Sequence, residues 1–277
     1  MTSLARRLGR LAIFFWLPVL ILLLLFVLTA GSTNIYFPPA SEVLATLVDG
    51  FTSGQLVDAL AFSLTNYLIG YALAACAGVL LGLLLGERKA TREALQPTLN
   101  FIRALPFVAL VPVFIIALGI GSGPKIALIA LGCFWPVLLN TMDGVRSINP
   151  AVLETVRSYR VPGRLRLYRV TLMGALPQIF TGLRIALSVG IVLVVVSEMY
   201  GSAEGIGYYI LFSGQRFAVT ETWAGTVVLG IVGYLVSVVF LAVEHVSLGW
   251  HFQRPRNQRK ATRVVESAAG TGSRDLA

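Results

Sequence analysis

The sequence predicts an all-α membrane protein with six transmembrane helices. Three observations carry that expectation. First, the 277-residue chain is 56% hydrophobic and only 13% charged, where a soluble domain carries roughly 25% charged residues. Second, its apolar residues fall in blocks long enough to cross a bilayer, which takes about 20 residues as a helix. Third, Lys and Arg gather between alternate blocks. The net charge of +9 would suggest nucleic acid in a soluble chain. Here the basic residues flank apolar blocks, so the bilayer is the expected partner and nucleic acid is not. A helix satisfies its own backbone groups in lipid. A β-barrel would show short alternating segments instead, and the sequence has none.

The first block, Leu11–Ala30, follows Arg6, Arg7 and Arg10. A cleaved signal peptide has an apolar run of about 7–15 residues and a small-residue cleavage site. This run is longer and no clean site follows, so it reads as a signal anchor and first span. Residues 31–58 form a loop in which Pro38-Pro39-Ala40-Ser41-Glu42 starts a helix, with Ser41 a candidate N-cap. A short amphipathic helix to about Phe51 is expected there. The second block, Leu60–Gly86, carries Gly70, Ala74, Gly78, Gly82 and Gly86 at four-residue spacing. That stripe of small residues lets another helix approach closely, and it reads as packing within the chain. The third block, Leu99–Ile120, contains Pro106 and Pro112, and the fourth, Ile126–Met142, contains Pro136. Each proline removes a ladder hydrogen bond and allows a bend. The fifth, Ile179–Tyr200, begins just after Pro177, and the sixth is Trp223–Leu248. Cys76 and Cys133 lie inside apolar segments and read as packing residues.

Orientation follows from charge. Eighteen of the 22 basic residues lie at the amino end, between the second and third blocks, between the fourth and fifth, or in the tail. Only Lys125 and Arg216 lie in the opposite loops. The positive-inside rule then places both termini in the cytoplasm, which requires an even number of spans. Residues 1–250 form a transmembrane domain on this reading, and 251–277 a basic tail, largely disordered beyond about Ala261.

The most informative loop runs over about residues 144–176. Asn149 is placed to cap a helix, Pro150 fits its first position, and Pro162-Gly163 stops it. A short helix over about residues 150–160 is expected, exposed between two spans. A basic segment, Arg164–Arg169, leads back to the membrane. Anionic lipid alone would explain the arginines. A loop this long and ordered also suits a protein partner.

Residues Asn149–Pro177, NPAVLETVRSYRVPGRLRLYRVTLMGALP, resemble the cytoplasmic loop of binding-protein-dependent ABC permeases. The family pattern is Glu-Ala-Ala, three residues, Gly, nine residues, Ile-x-Leu-Pro. Glu154 takes the Glu position; Val170 and Leu172 take the Ile and Leu positions. The run ALPQIFTGLRIALSVG from Ala175 is similar to the nitrate, sulfonate and taurine branch. So are FPPASEVL near Phe37, the stretch from Ala104 to Ile148 and SEMYGSAEGIGYYI from Ser197. The chain departs from the pattern at Thr155, Val156, Arg160 and Met173. Gly163 is expected to supply the turn that the family Gly would have made.

The resemblance implies a type I ABC importer permease fold in a bacterial inner membrane. It implies that Glu154, Thr155, Val156, Arg157, Ser158, Tyr159 and Arg160 form a coupling helix docked on a nucleotide-binding ATPase, which binds ATP and Mg. It also implies a second permease and a solute-binding protein that delivers a small anion, organic acid, sulfonate or vitamin precursor. The four departures suggest a heterodimer of permeases; the alternative is a homodimer with a co-adapted ATPase. The chain has no Gly-x-x-x-x-Gly-Lys-Ser/Thr, and none of Lys89, Lys125 and Lys260 follows a glycine, so no cofactor or ATP site of its own is expected. His245 and His251 stand apart, without metal-ligand spacing.

Charged and amide side chains within spans are costly and are candidate pathway residues. Glu198 could line a cavity or form a structural gate pair. Arg103, like Arg184, could face the pathway or snorkel to headgroups. Asn66 and Asn140 could face a pore or bond between helices. A self-sufficient secondary transporter or channel is the alternative, but it calls for ion-coupling residues and usually an internal repeat. The sequence has no such repeat and few intramembrane acids.

Overall fold

The computed structural model describes residues 26–87, 97–99, 101–102 and 104–249, together with Trp16, Leu20, Leu23, Leu24 and Ala94. Most of Leu11–Ala30, the basic clusters at Arg6–Arg10 and Arg88–Arg92, Arg103 and the 251–277 tail lie outside the described residues. Among the described residues every regular element is helical. The elements are α1 Ala40–Thr52, α2 Gln55–Gly86, a 3-10 turn Phe107–Leu110, α3 Val111–Leu118, α4 Ser122–Arg146, α5 Pro150–Ser158, α6 Gly163–Arg166, a π-helical turn Leu167–Leu172, α7 Met173–Gly201, α8 Ile206–Gln215 and α9 Val219–Ser247.

Four helices are long and apolar enough to cross a membrane: α2, α4, the continuous run Gly163–Gly201, and α9. They match the second, fourth, fifth and sixth blocks. The fifth helix starts well before Ile179, and Pro177 lies inside it. Thr181 Oγ1 donates to the Pro177 carbonyl one turn back at 3.1 Å, the back-bond a helical threonine makes to its own backbone. The third block differs from expectation. Ala104–Pro106 is not helical, and the apolar helix that follows runs only from Phe107 to Leu118. Pro106 lacks an N–H and turns its preceding residue away from helical geometry. Gly119 then closes α3 at φ 80°. In α1 the N-cap is Pro39, with no side-chain cap, so Ser41 sits inside the first turn.

By internal contacts the chain falls into two units, each built from three segments. The first comprises Met1–Tyr67, Val108–Lys125 and Val194–Val232. Its apolar core joins Leu56, Ile206, Tyr209 and Val228. The second comprises Leu68–Phe107, Ile126–Leu193 and Gly233–Ala277. Here the small-residue stripe of α2 meets α4. A Cβ on Gly70 would stand 2.8 Å from Ile129, on Gly78 2.9 Å from Val137, on Gly82 2.5 Å from Thr141, and on Gly86 2.9 Å from Val145. Contacts that close require glycine, and they bind α2 to α4 within one chain. Leu83, Val145, Ala175 and Ile179 complete this core. In the same unit Arg184 ion-pairs with Glu244, and Phe180 packs on Phe240 one turn away. The polar end of Arg184 is thereby spent on a neighbouring helix. Ile231, Leu235, Val239 and Val243 stay exposed along one stripe of α9, which suits a face toward lipid.

Candidate functional site

The sequence 149–161 folds locally into a capped, free-standing helix. The Asn149 side chain accepts from Ala151 N at 2.9 Å, and Pro150 occupies the first turn, where its missing N–H costs nothing. At the other end Val161 N donates to Val156 O at 3.1 Å and Arg160 N to Arg157 O at 2.9 Å. That pair of bonds is a Schellman stop, which places its turning residue in the left-handed region. The turning residue is Arg160, at φ 49°. The expectation that Gly163 would make this turn is therefore corrected. Gly163 opens α6, and Arg160 itself adopts the glycine-favoured conformation, at a cost of about 1–2 kcal/mol.

α5 has no buried residue. Glu154, Thr155, Arg157, Ser158, Tyr159 and Arg160 are exposed, and Val156 is half-buried. Tyr159 is 80% exposed. The return leg is fixed instead. Glu87, just past α2, accepts from Arg166 at 3.3 Å and from Thr171 at 3.2 Å. Leu167 and Leu172 pack on the core around Leu83 and Ala175. An exposed helix thus stands on a leg tied to two spans of its own unit. Glu87 escaped the sequence reading because it abuts a basic run that masks a lone acid.

The pathway candidates separate in the structure. Glu198 is fully buried. Its Oε2 accepts from Ser63 Oγ at 2.8 Å and from Gly207 N at 3.0 Å. Ser63 Oγ in turn accepts from Ile206 N at 2.8 Å. A Cβ on Gly205 would lie 2.5 Å from Glu198 Oε2. The glycines of Gly205-Ile206-Gly207 let the loop wrap the carboxylate, which ties α2, α7 and α8 together. Lys125, read from sequence as a loop residue, is buried in the first turn of α4. It donates to the carbonyls of Gly121 at 2.5 Å and Gly201 at 3.3 Å. Asn140 donates to Pro136 O at 2.8 Å on its own helix, so it is not an interhelical bond. Asn66 is buried, and its Nδ2 has no acceptor among the described residues. Arg103 lies outside the described residues.

Each unit holds a cavity. In the first, about 690 Å³ is lined by residues that include Asn66, Phe62, Tyr208 and Arg216. Tyr209 also lines it; burial raises its phenol above the ordinary value, Glu221 adds to the rise and Arg216 opposes it. In the second, about 520 Å³ is lined by Phe107, Trp135, Asn140 and Asp143 among others. Asn66 and Asn140 therefore line different cavities, and Glu198 lines neither.

Residues 78–247 match the family described as binding-protein-dependent transport system inner membrane component. The chain belongs to this family. It is a multi-pass inner-membrane permease of an ABC transporter. It is 32% identical over 222 residues to the taurine transport system permease protein of Escherichia coli, covering 78% of this chain and 81% of that one. It is 31% identical over 182 residues to the formylaminopyrimidine transport permease protein of Halalkalibacterium halodurans, covering 66% and 73%. The permease's fold is similar to that of a chain in inward facing conformations of the MetNI methionine ABC transporter. The TM-score there is 0.55 at 21% identity, over 73% of this chain and 96% of that one.

Proposed function

We propose that this permease forms half of the translocation pore of an ATP-driven importer and that α5 is its coupling helix. The supporting observation is that α5 is capped at both ends and has no buried residue, only Leu153 and Val156 being half-buried, while its return leg is fixed through Glu87. A helix with no internal packing role suits a groove on another protein. That protein is a cytoplasmic nucleotide-binding ATPase, which holds ATP and Mg. The basic loops put α5 and both termini on the cytoplasmic side. A solute-binding protein delivers the cargo from the other side. The relatives' names favour a small solute such as a sulfonate, a small anion or a vitamin precursor. Charge reversal at Glu154 and Arg157 together is expected to uncouple ATP hydrolysis from uptake in the assembled transporter. Unchanged uptake and co-purification in that double variant would refute the assignment.

Pairing with a different permease follows from the departures at Thr155, Val156, Arg160 and Met173. Thr155 and Arg160 expose their side chains where the ATPase would sit, so two identical copies would demand two altered grooves. Intact-mass measurement of the complex decides; two copies of this chain and no second permease would refute it.

A further inference from the structure

The cavity of about 690 Å³ in the first unit has the size of a small-molecule site. One face of α2 supplies Phe62 and Asn66, one face of α8 supplies Tyr208 and Phe212, and Arg216 caps the end of α8. The Tyr208 and Phe212 rings stack 5.2 Å apart at 15°, and the Arg216 guanidinium covers Phe212 at 4.4 Å. These form an aromatic wall that stacking holds in place. Asn66 is only 2% exposed, and its Nδ2 has no acceptor among the described residues. Buried amide donors are almost always paired in native proteins. An orphan donor lining a cavity therefore points to a ligand oxygen.

Charge narrows the class. Arg216 is paired with Glu221 at 3.1 Å, whereas Asp58 and Glu204, which also line the cavity, have no ion pair among the described residues. Lys125 lies over Phe62, 5.5 Å from its ring centre, and is held by backbone carbonyls. The lining offers no unpaired cation to a small inorganic anion. It offers aromatic faces to carbon, the orphan Asn66 amide to oxygen, and the carboxylates of Asp58 and Glu204 to a positive charge.

We propose that this cavity binds a small organic solute, neutral or zwitterionic, whose oxygen acceptor meets Asn66 Nδ2 and whose carbon skeleton lies against Phe62 and the Tyr208–Phe212 pair. The proposal rests on the importer reading and assigns this cavity as a site where cargo meets the permease. The test uses the assembled transporter with Cys76→Ser, Cys133→Ser and Thr65→Cys, since Thr65 is exposed beside Asn66 on the cavity wall. Maleimide labelling of Thr65→Cys is timed with millimolar taurine, an aminopyrimidine, nitrate or bicarbonate. Taurine or the aminopyrimidine is expected to slow labelling at least 5-fold, the inorganic anions not at all. Asn66→Leu is expected to raise the solute concentration that gives half-protection about 10-fold, as loss of one hydrogen bond to a bound solute does. Protection by nitrate or bicarbonate, or by none of the four, overturns the assignment, as does protection unchanged in Asn66→Leu. A chain that co-purifies with no ATPase would defeat the importer reading instead, whatever the labelling shows.

Discussion

Replacing Glu198 separates a structural carboxylate from a transport residue. Glu198→Ala leaves Gly207 N–H without its acceptor; Ser63 can turn its hydroxyl to Ala59 O, already 3.0 Å away. One orphaned buried donor costs about 1–3 kcal/mol. The space left by a fully buried side chain adds about 1–2 kcal/mol, at the low end for large-to-small changes. Removing a buried carboxylate with one unpaired oxygen offsets part of this. The net expectation is a loss of about 2–4 kcal/mol, or roughly 4–16 °C in apparent melting temperature at 2–4 °C per kcal/mol. Glu198→Gln keeps an oxygen for Ser63 and Gly207 and loses only charge assistance, so its cost is about 1 kcal/mol. Thermal unfolding of the purified chain in detergent reads both variants. If Glu198→Gln melts as low as Glu198→Ala, or Glu198→Ala melts like the parent, the clamp is wrong. If Glu198→Gln keeps its melting temperature but abolishes uptake, the charge serves transport and the structural reading fails.

Two further outcomes are expected. Arg160→Gly relieves left-handed strain, less the entropy a glycine gains in the unfolded chain, for about 0.5–1 kcal/mol. Amide exchange at Val161 should slow about 2–5-fold, and faster exchange would refute the Schellman assignment. For orientation, single cysteines at the exposed positions Gln55 and Gln215 should label only from the non-cytoplasmic side. Ser213, although in the same segment, is buried and bonded to Glu221, so it is a poor reporter. Labelling of either glutamine position from the cytoplasm alone would reverse the topology.

Hydrophobic blocks and their glycine stripe were legible because both depend on residue type and spacing alone. Gly70 through Gly86 read as close packing, and α4 fills that groove. The capped loop helix was legible for the same reason: Asn149-Pro150 and the stop are local signals. Arg160 was misread because the sequence offers a glycine nearby, and only the backbone shows which residue turns. Glu87 and Ser63 were missed because their partners are far away in sequence: Glu87 lies 79 residues from Arg166, and Ser63 lies 135 from Glu198. Nothing local marks such pairs. The break at Ala104–Pro106 was partly legible from Pro106, but how far it shortens the third block depends on Gly119 as well.

On the proposed function, α5 is where the permease meets its ATPase. Ser158 is exposed at the end of α5, one residue before Tyr159. A Ser158→Cys chain lacking Cys76 and Cys133, treated with a short bismaleimide in membranes containing the whole transporter, tests it directly. One adduct is expected, to the nucleotide-binding subunit, with a yield that changes when ATP is added. Adducts to the solute-binding protein, or none to the ATPase while the complex stays assembled, would contradict it.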